Sequence, residues 1–303
     1  MKVRFGVCAD LHTEFMHDAP SRMETFLRAC EDAGCDFGIQ LGDFCPPGQK
    51  NISDKETIRR RLAALSMPFY HVLGNHDMDR NKKSDVLCYL GATAGTYSFD
   101  CGGVHFVALD GCCFDDGEGC RDYENGNYKY AAEGKGISVL SPSALAWLAE
   151  DLAKAQYPTV LFSHQSLVES RASIGNAEAL RAVLREAPHG AILAICGHEH
   201  VDRLEKREGT YYYCLNSMSY YWAGRAYDHE TYGPLHEGAC PMLRHVFPYR
   251  DPLFAIVEIE DGEIRITGRS SEIVGKTPEQ MGFVKAGLVD PITASVVDRE
   301  IAL

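Results

Sequence analysis

Val3-Arg4-Phe5-Gly6-Val7-Cys8-Ala9, followed by Asp10-Leu11-His12, decides how this chain is read. The first seven residues are mostly apolar and rich in strand-forming types, which predicts a β-strand over Val3–Ala9. The strand runs out on two metal-capable side chains at i and i+2, and in extended backbone these share a face. The same device recurs four times. Predicted strands Asp36–Leu41, Phe69–Leu73, Pro158–Phe162 and Ala191–Cys196 end on Gly42-Asp43, Gly74-Asn75-His76-Asp77, Ser163-His164 and Gly197-His198-Glu199-His200. Amphipathic stretches Arg22–Ala33, Asp54–Leu65, Ser143–Ala155 and Ala177–Glu186 read as the intervening helices. Alternation of strand and helix builds a parallel sheet with crossover connections. In such α/β sheets, sites form beyond the carboxyl ends of the strands. Five strand ends therefore converge on one cleft.

That cleft would hold two carboxylates (Asp10, Asp43), one amide oxygen (Asn75) and four imidazoles (His12, His164, His198, His200), with His76 to spare. This is enough ligand for two adjacent divalent ions, and a nitrogen and oxygen set without thiolate suits Mn²⁺, Fe²⁺ or Zn²⁺ better than Ca²⁺. Glycines 42, 74 and 197 let the backbone turn sharply as it leaves each strand. Other candidates have plainer readings. His17, His71, His105 and His189 read as core or surface residues, and His229, His236 and His245 in a late loop read as surface residues ahead of a substrate contact. Glu199 should point away from its two histidine neighbours, Cys45 reads as packing, and Tyr220-Tyr221-Trp222 reads as packing ahead of nucleobase stacking.

The ordered set Asp-x-His, Gly-Asp, Gly-Asn-His-Asp, His and Gly-His-x-His resembles the calcineurin-like metallophosphoesterase family over residues 10–200. The resemblance implies an α/β fold of two mixed β-sheets packed face to face and flanked by helices. It implies one ion held by Asp10, His12, Asp43 and His200, and another by Asp43, Asn75, His164 and His198, with Asp43 bridging. His76 matches the substrate-facing imidazole, and Asp77 would orient it or stabilise its protonated form. Pro46 stands where purple acid phosphatases of the superfamily carry a metal-binding tyrosine, which disfavours the tyrosine–iron variant.

Composition narrows the rest. With 303 residues, 45% hydrophobic and 24% charged, the chain reads as one large globular domain with insertions near 115–136 and 224–251 and a weakly patterned segment from about 271. No apolar run is long enough to cross a membrane, and the start reads as a strand instead of a secretory leader, so a cytoplasmic location is expected. A formal charge of −13 opposes binding of a nucleic acid polymer, and Arg59-Arg60-Arg61 reads as a solvated helix face. The 12 cysteines form no disulfide framework and no paired zinc-knuckle motif around Cys112, Cys113 and Cys120, so reduced thiols are expected. The oligomeric state is not encoded in any of these features.

The expected activity is metal-dependent hydrolysis of a small phosphoester, as a phosphodiesterase or pyrophosphatase of nucleotide-like substrates working through a hydroxide bridging the ions. A phosphomonoesterase is the second enzymatic reading, and a non-catalytic binding scaffold is the alternative of another class. The two insertions are expected to wall the cleft and set specificity.

Overall fold

Alternation within the strands creates the layers. In β1 (Lys2–Cys8), Val3, Phe5 and Val7 point into one buried cluster, while Cys8 joins another with Phe26, Leu27 and Cys30 of the helix Ala19–Asp32. Gly6 lies under that helix, where a Cβ would fall 2.1 Å from Cys30 Sγ. The computed structural model describes all residues except 49, 130–133, 135, 171 and 284–289.

Two six-stranded sheets form the body. In the first, β1, β2 (Phe37–Gln40) and β3 (Phe69–His71) run parallel. The second contains β4 (Tyr97–Cys101), β5 (Val104–Leu109), β9 (Thr159–Ser163), β10 (Ala191–Cys196), β11 (Arg203–Arg207) and β12 (Thr210–Cys214). Its order is β11-β12-β10-β9-β5-β4, with β5, β9, β10 and β12 parallel. The remaining strands of the first sheet are β15 (Ala255–Glu260), β16 (Glu263–Thr267) and β17 (Arg299–Ala302), giving the order β17-β16-β15-β1-β2-β3. Asp261 and Gly262, at φ 51° and 85°, make the β15–β16 hairpin turn read from the sequence.

The sheets pack face to face through Phe5, Phe37, Phe106 and Phe162, with Phe5 and Phe37 stacked at 5.0 Å and Phe106 and Phe162 at 5.8 Å. Outside the first sheet lie the helices Ala19–Asp32 and Ile52–Ala63; outside the second lie Pro142–Leu152 and Ala177–Glu186, over Val107, Leu109 and Leu161. This is the two-sheet, four-layer α/β sandwich expected from the sequence.

Several local expectations need correction. The stretch 115–136 is not wholly irregular: β6 (Cys113–Asp115), β7 (Cys120–Asp122) and β8 (Ile137–Val139) pair as a small sheet, and 130–133 and 135 of the stretch lie outside the described residues. Cys113 and Cys120 are joined as a disulfide, against the expectation of reduced thiols, while the other ten cysteines are free. The β6–β7 register makes the pair diagonal neighbours with Cα atoms 6.2 Å apart, within bridging reach. The stretch 224–251 contains the helix Pro234–Ala239 and β14 (Val246–Pro248), which pairs with β13 (Tyr220–Trp222). The segment after 271 returns as β17 to extend the first sheet. The run Arg59-Arg60-Arg61 is only partly solvated, because Arg61 bridges to Glu24 and Glu31 of the first helix. Among the described residues no helix is long and apolar enough to cross a membrane.

A part-buried polar link ties the second sheet to the helix Pro142–Leu152. His105 of β5 lies 2.6 Å from Asp100 and 2.8 Å from Asp151. Burial opposes charge on this imidazole, but the two carboxylates hold its pKa above the ordinary histidine value. A raised folded-state pKa contributes stability that is full below the unfolded value of about 6.5 and is lost as pH rises through the folded value. His105→Gln is therefore expected to lower the melting temperature more near pH ~6 than near pH ~9. Equal losses at the two pH values, read by calorimetry, would remove the charge from this link.

Candidate metal centre

The parallel strands deliver the site. Asp10 and His12 follow β1, Asp43 follows β2, Asn75, His76 and Asp77 follow β3, His164 follows β9, and His198 and His200 follow β10. The loops are stitched together within each sheet and, through His198 and Asp10, between the two. Asp10 N–H donates to Gly42 O at 3.1 Å, His12 N–H to Asp43 O at 2.9 Å, and Gly197 N–H to His164 O at 3.1 Å. His198 N–H reaches Asp10 Oδ2 at 3.0 Å and His76 N–H reaches Asp43 Oδ1 at 2.7 Å.

The backbone is held in costly conformations where these side chains emerge. Nine described non-glycine residues have positive φ, and five of them are Asp10, His12, Asp43, His198 and His200. Left-handed backbone disfavours side chains with a Cβ, and strain of this kind concentrates at functional sites. Of glycines 42, 74 and 197, Gly74 permits the closest approach, since a Cβ there would lie 2.1 Å from Asp43 N and 2.3 Å from Asp43 Oδ1. Gly74→Ala is expected to displace Asp43, cost about 1–3 kcal/mol of stability and weaken cation binding. Calorimetry and metal analysis together check this, and a variant with wild-type stability and metal content would contradict it.

Among the described residues, two groups have the spacing to hold a cation: Asp10, His12 and His200, and Asp43, His164 and His198. Asp43 Oδ2 faces both, at 3.8 Å from His12 Nε2 and 3.3 Å from His164 Nε2. The ring nitrogens are oriented from behind. His164 Nδ1 lies 2.8 Å from Leu41 O and His200 Nδ1 lies 2.7 Å from Tyr220 O. A carbonyl only accepts, so each Nδ1 carries a proton and each ring turns its Nε2 inward. There His164 Nε2 meets Asn75 Oδ1 at 3.0 Å, and His200 Nε2 meets Asp10 Oδ1 at 3.3 Å. His12 Nε2 is buried with no hydrogen-bond partner. Lone pairs converging on lone pairs need protons or cations between them, and the mixed nitrogen and oxygen donors fit divalent transition ions.

The electrostatics fit the same conclusion. Burial pushes His12 and His198 down to about 3, so both stay neutral and ready to ligate. Burial also opposes charge on His164, but Asp43 holds it up to about 10, the proton standing where a cation would serve. Burial would raise the carboxyls of Asp43 and Asp10, yet the surrounding imidazoles keep both below the usual range.

Residues 3–202 match a family model described as calcineurin-like phosphoesterase. The chain belongs to that family. Among solved structures, a dimetal phosphatase from Danio rerio is similar with a TM-score of 0.60 and 16% identity, covering 88% of this chain and 96% of its own. A structure described as GAP50, the anchor in the inner membrane complex of Plasmodium, is similar with a TM-score of 0.55 and 13% identity, covering 92% and 90%. At these identities the likeness concerns the fold. No curated protein sequence matches the chain.

Within the site one residue, Asp77, differs from the sequence reading, and another, Asp79, was missed by it. Asp77 does not serve His76. Its carboxylate accepts the backbone N–H groups of Gly74, Phe44 and Asp43 at 2.8, 3.0 and 3.2 Å, clamping the loops after β2 and β3 together. Burial and repulsion from Asp43 push its carboxyl up to about 7, against those N–H bonds. The partner of His76 is Asp79, whose Oδ2 lies 2.9 Å from His76 Nδ1. Burial opposes protonation of His76, but Asp43 and Asp79 raise its pKa. The short 3₁₀ turn His76–Met78 brings position i+3 back over His76, a spacing that could have signalled Asp79. Tyr220 is buried with its ring 4.9 Å from His12, backing the site. Glu199 turns away to Arg203 at 3.1 Å.

Proposed function

We propose that this calcineurin-like phosphoesterase is a dinuclear metal hydrolase of small phosphodiesters or pyrophosphates of nucleotide type. The observation that supports it most is Asp43 Oδ2, which faces His12 Nε2 on one side and His164 Nε2 on the other. Asp10, His12, Asp43 and His200 would hold one ion, and Asp43, Asn75, His164 and His198 the other. A pair of divalent ions held by these residues would supply activation of water at neutral pH and neutralisation of charge on phosphoryl oxygens.

The chain's own groups do the rest. Leu41 and Tyr220 carbonyls fix the tautomers of His164 and His200, so donor directions are set before substrate arrives. Asp77 keeps the loops carrying Asp43 and Asn75 in register. His76, with 35% of its side chain exposed, sits at the cleft surface with Nδ1 engaged by Asp79. Its Nε2 is then the nitrogen left to face substrate, where a proton can pass to the departing oxygen. The formal charge of −13 weighs against polymeric polyanions as substrates.

The test is a panel assay after loading with Mn²⁺, Fe²⁺ or Zn²⁺, using cyclic nucleotides, nucleotide diphosphate conjugates, aryl diesters and monoesters. Turnover of diesters or pyrophosphates above monoesters is expected, and a reversed ranking would favour the phosphomonoesterase reading. A binding scaffold is the other reading, since one protein of similar fold is described as an anchor. All seven ligand positions are filled by donor residues here, which favours the enzyme. A fully metallated protein inert on every ester would favour the scaffold.

A further inference from the structure

Residues 123–128 contain no ligand and no family motif, yet they are docked firmly on the segment that follows Asn75. Asn125 N–H donates to Asn81 O, and Gly126 N–H to Met78 O, both at 2.9 Å. The backbones of Glu124 and Lys82 pair as an isolated antiparallel β-bridge. Asn125 and Gly126 are both left-handed, at φ 48° and 74°, which reverses the chain tightly. Asn127 closes the turn, its Oδ1 accepting from Glu124 N–H at 2.9 Å and its Nδ2 donating to Asp122 O at 3.0 Å. The turn is thus held at several points, and what it presents is Tyr128.

The Tyr128 hydroxyl donates to Asp79 Oδ1 at 2.5 Å and lies 3.2 Å from His76 Nδ1. His76 Nδ1 is 2.9 Å from Asp79 Oδ2. Each oxygen of Asp79 therefore has its own partner, and three side chains close a ring around one nitrogen. The Tyr128 ring stands edge-on to His76 at 5.7 Å and is backed by Tyr123 at 5.5 Å. Tyr123 is itself fixed to Ser138 at 2.5 Å.

We propose that Tyr128 is a positioning residue for His76, holding Asp79 and the imidazole in the one orientation that turns Nε2 toward the leaving group. The inference rests on the hydrolase reading above. If Tyr128 only packs the small sheet onto its neighbours, the ring suffices and the hydroxyl is dispensable, so Tyr128→Phe separates the two roles.

The experiment uses the full chain loaded with Mn²⁺ and compares wild type, Tyr128→Phe and Asp79→Asn on aryl and alkyl phosphodiesters. In Tyr128→Phe, kcat is expected to fall roughly tenfold, the scale for outer partners of a functional group, with KM changed less than about twofold. The fall should be larger for alkyl than for aryl leaving groups, and metal content should stay at the wild-type value. Asp79→Asn, which removes the charge and leaves one acceptor oxygen for the two partners, should show a larger fall with the same leaving-group pattern. Nitrogen NMR of histidine-labelled protein gives a readout independent of turnover: the His76 Nδ1 resonance should move in Tyr128→Phe. An unchanged kcat in Tyr128→Phe, or a loss explained by lost metal, overturns the inference. If wild type is inert on all esters, the functional reading fails first, and an unmoved His76 resonance then overturns the positioning role as well.

Discussion

Asp43→Asn should abolish hydrolysis and weaken both cation positions at once. The carboxylate is committed on two sides, with Oδ1 accepting His76 N–H at 2.7 Å and Oδ2 facing His12 and His164. An asparagine has one acceptor oxygen for these two tasks. If its oxygen keeps the His76 N–H, its amino group points where cations belong. If it flips, two donors meet at His76. We expect kcat to drop at least roughly 10³-fold, the upper scale for removing a single electrostatic group, and metal content to fall by more than one ion per chain. Elemental analysis beside the activity assay reads both. A variant that keeps two ions and turnover would show that Asp43 does not join the two groups.

His76→Gln should behave differently. His76 belongs to neither cation-binding group, so the ions should stay. Removing a positioned proton donor costs typically ~10²–10⁴-fold, and the cost should be greatest for alkyl esters, whose departing oxygen needs protonation most. Nitrophenyl esters should suffer least. Equal slowing of both substrates would assign His76 to phosphate binding instead of proton transfer.

The contrast between these residues and their supports shows what was legible in the sequence. Asp10, His12, Asp43, Asn75, His164, His198 and His200 were visible because each follows a strand marked by an apolar run and, ahead of Asp43, Asn75 and His198, by a glycine. The inner strands were visible for the same reason, since strands such as Ala191–Cys196 are continuous apolar runs, whereas their division into two sheets was implied only by the family resemblance. Edge strands were not. Arg203–Arg207 reads RLEKR, a charged sequence that pairs only because Thr210–Cys214 offers it an antiparallel neighbour. Arg299–Ala302 pairs with a strand far from it in sequence, so local pattern carries no trace of the contact. Asp77 was misread because adjacency to His76 suggested partnership. The 3₁₀ turn instead buries Asp77 against backbone N–H groups and hands the imidazole to Asp79. Tyr128 sits in a polar, irregular stretch, and only the Asn125-Gly126 turn docked on Met78 brings it to the site.

Anomalous diffraction from crystals of the Mn²⁺- or Zn²⁺-loaded protein tests the central claim most directly. Two metal peaks are predicted, one among Asp10, His12 and His200 and one among His164, His198 and Asn75, with Asp43 between them. Fully loaded crystals that place metal elsewhere, or show a single peak with Asp43 outside its ligands, would contradict the account.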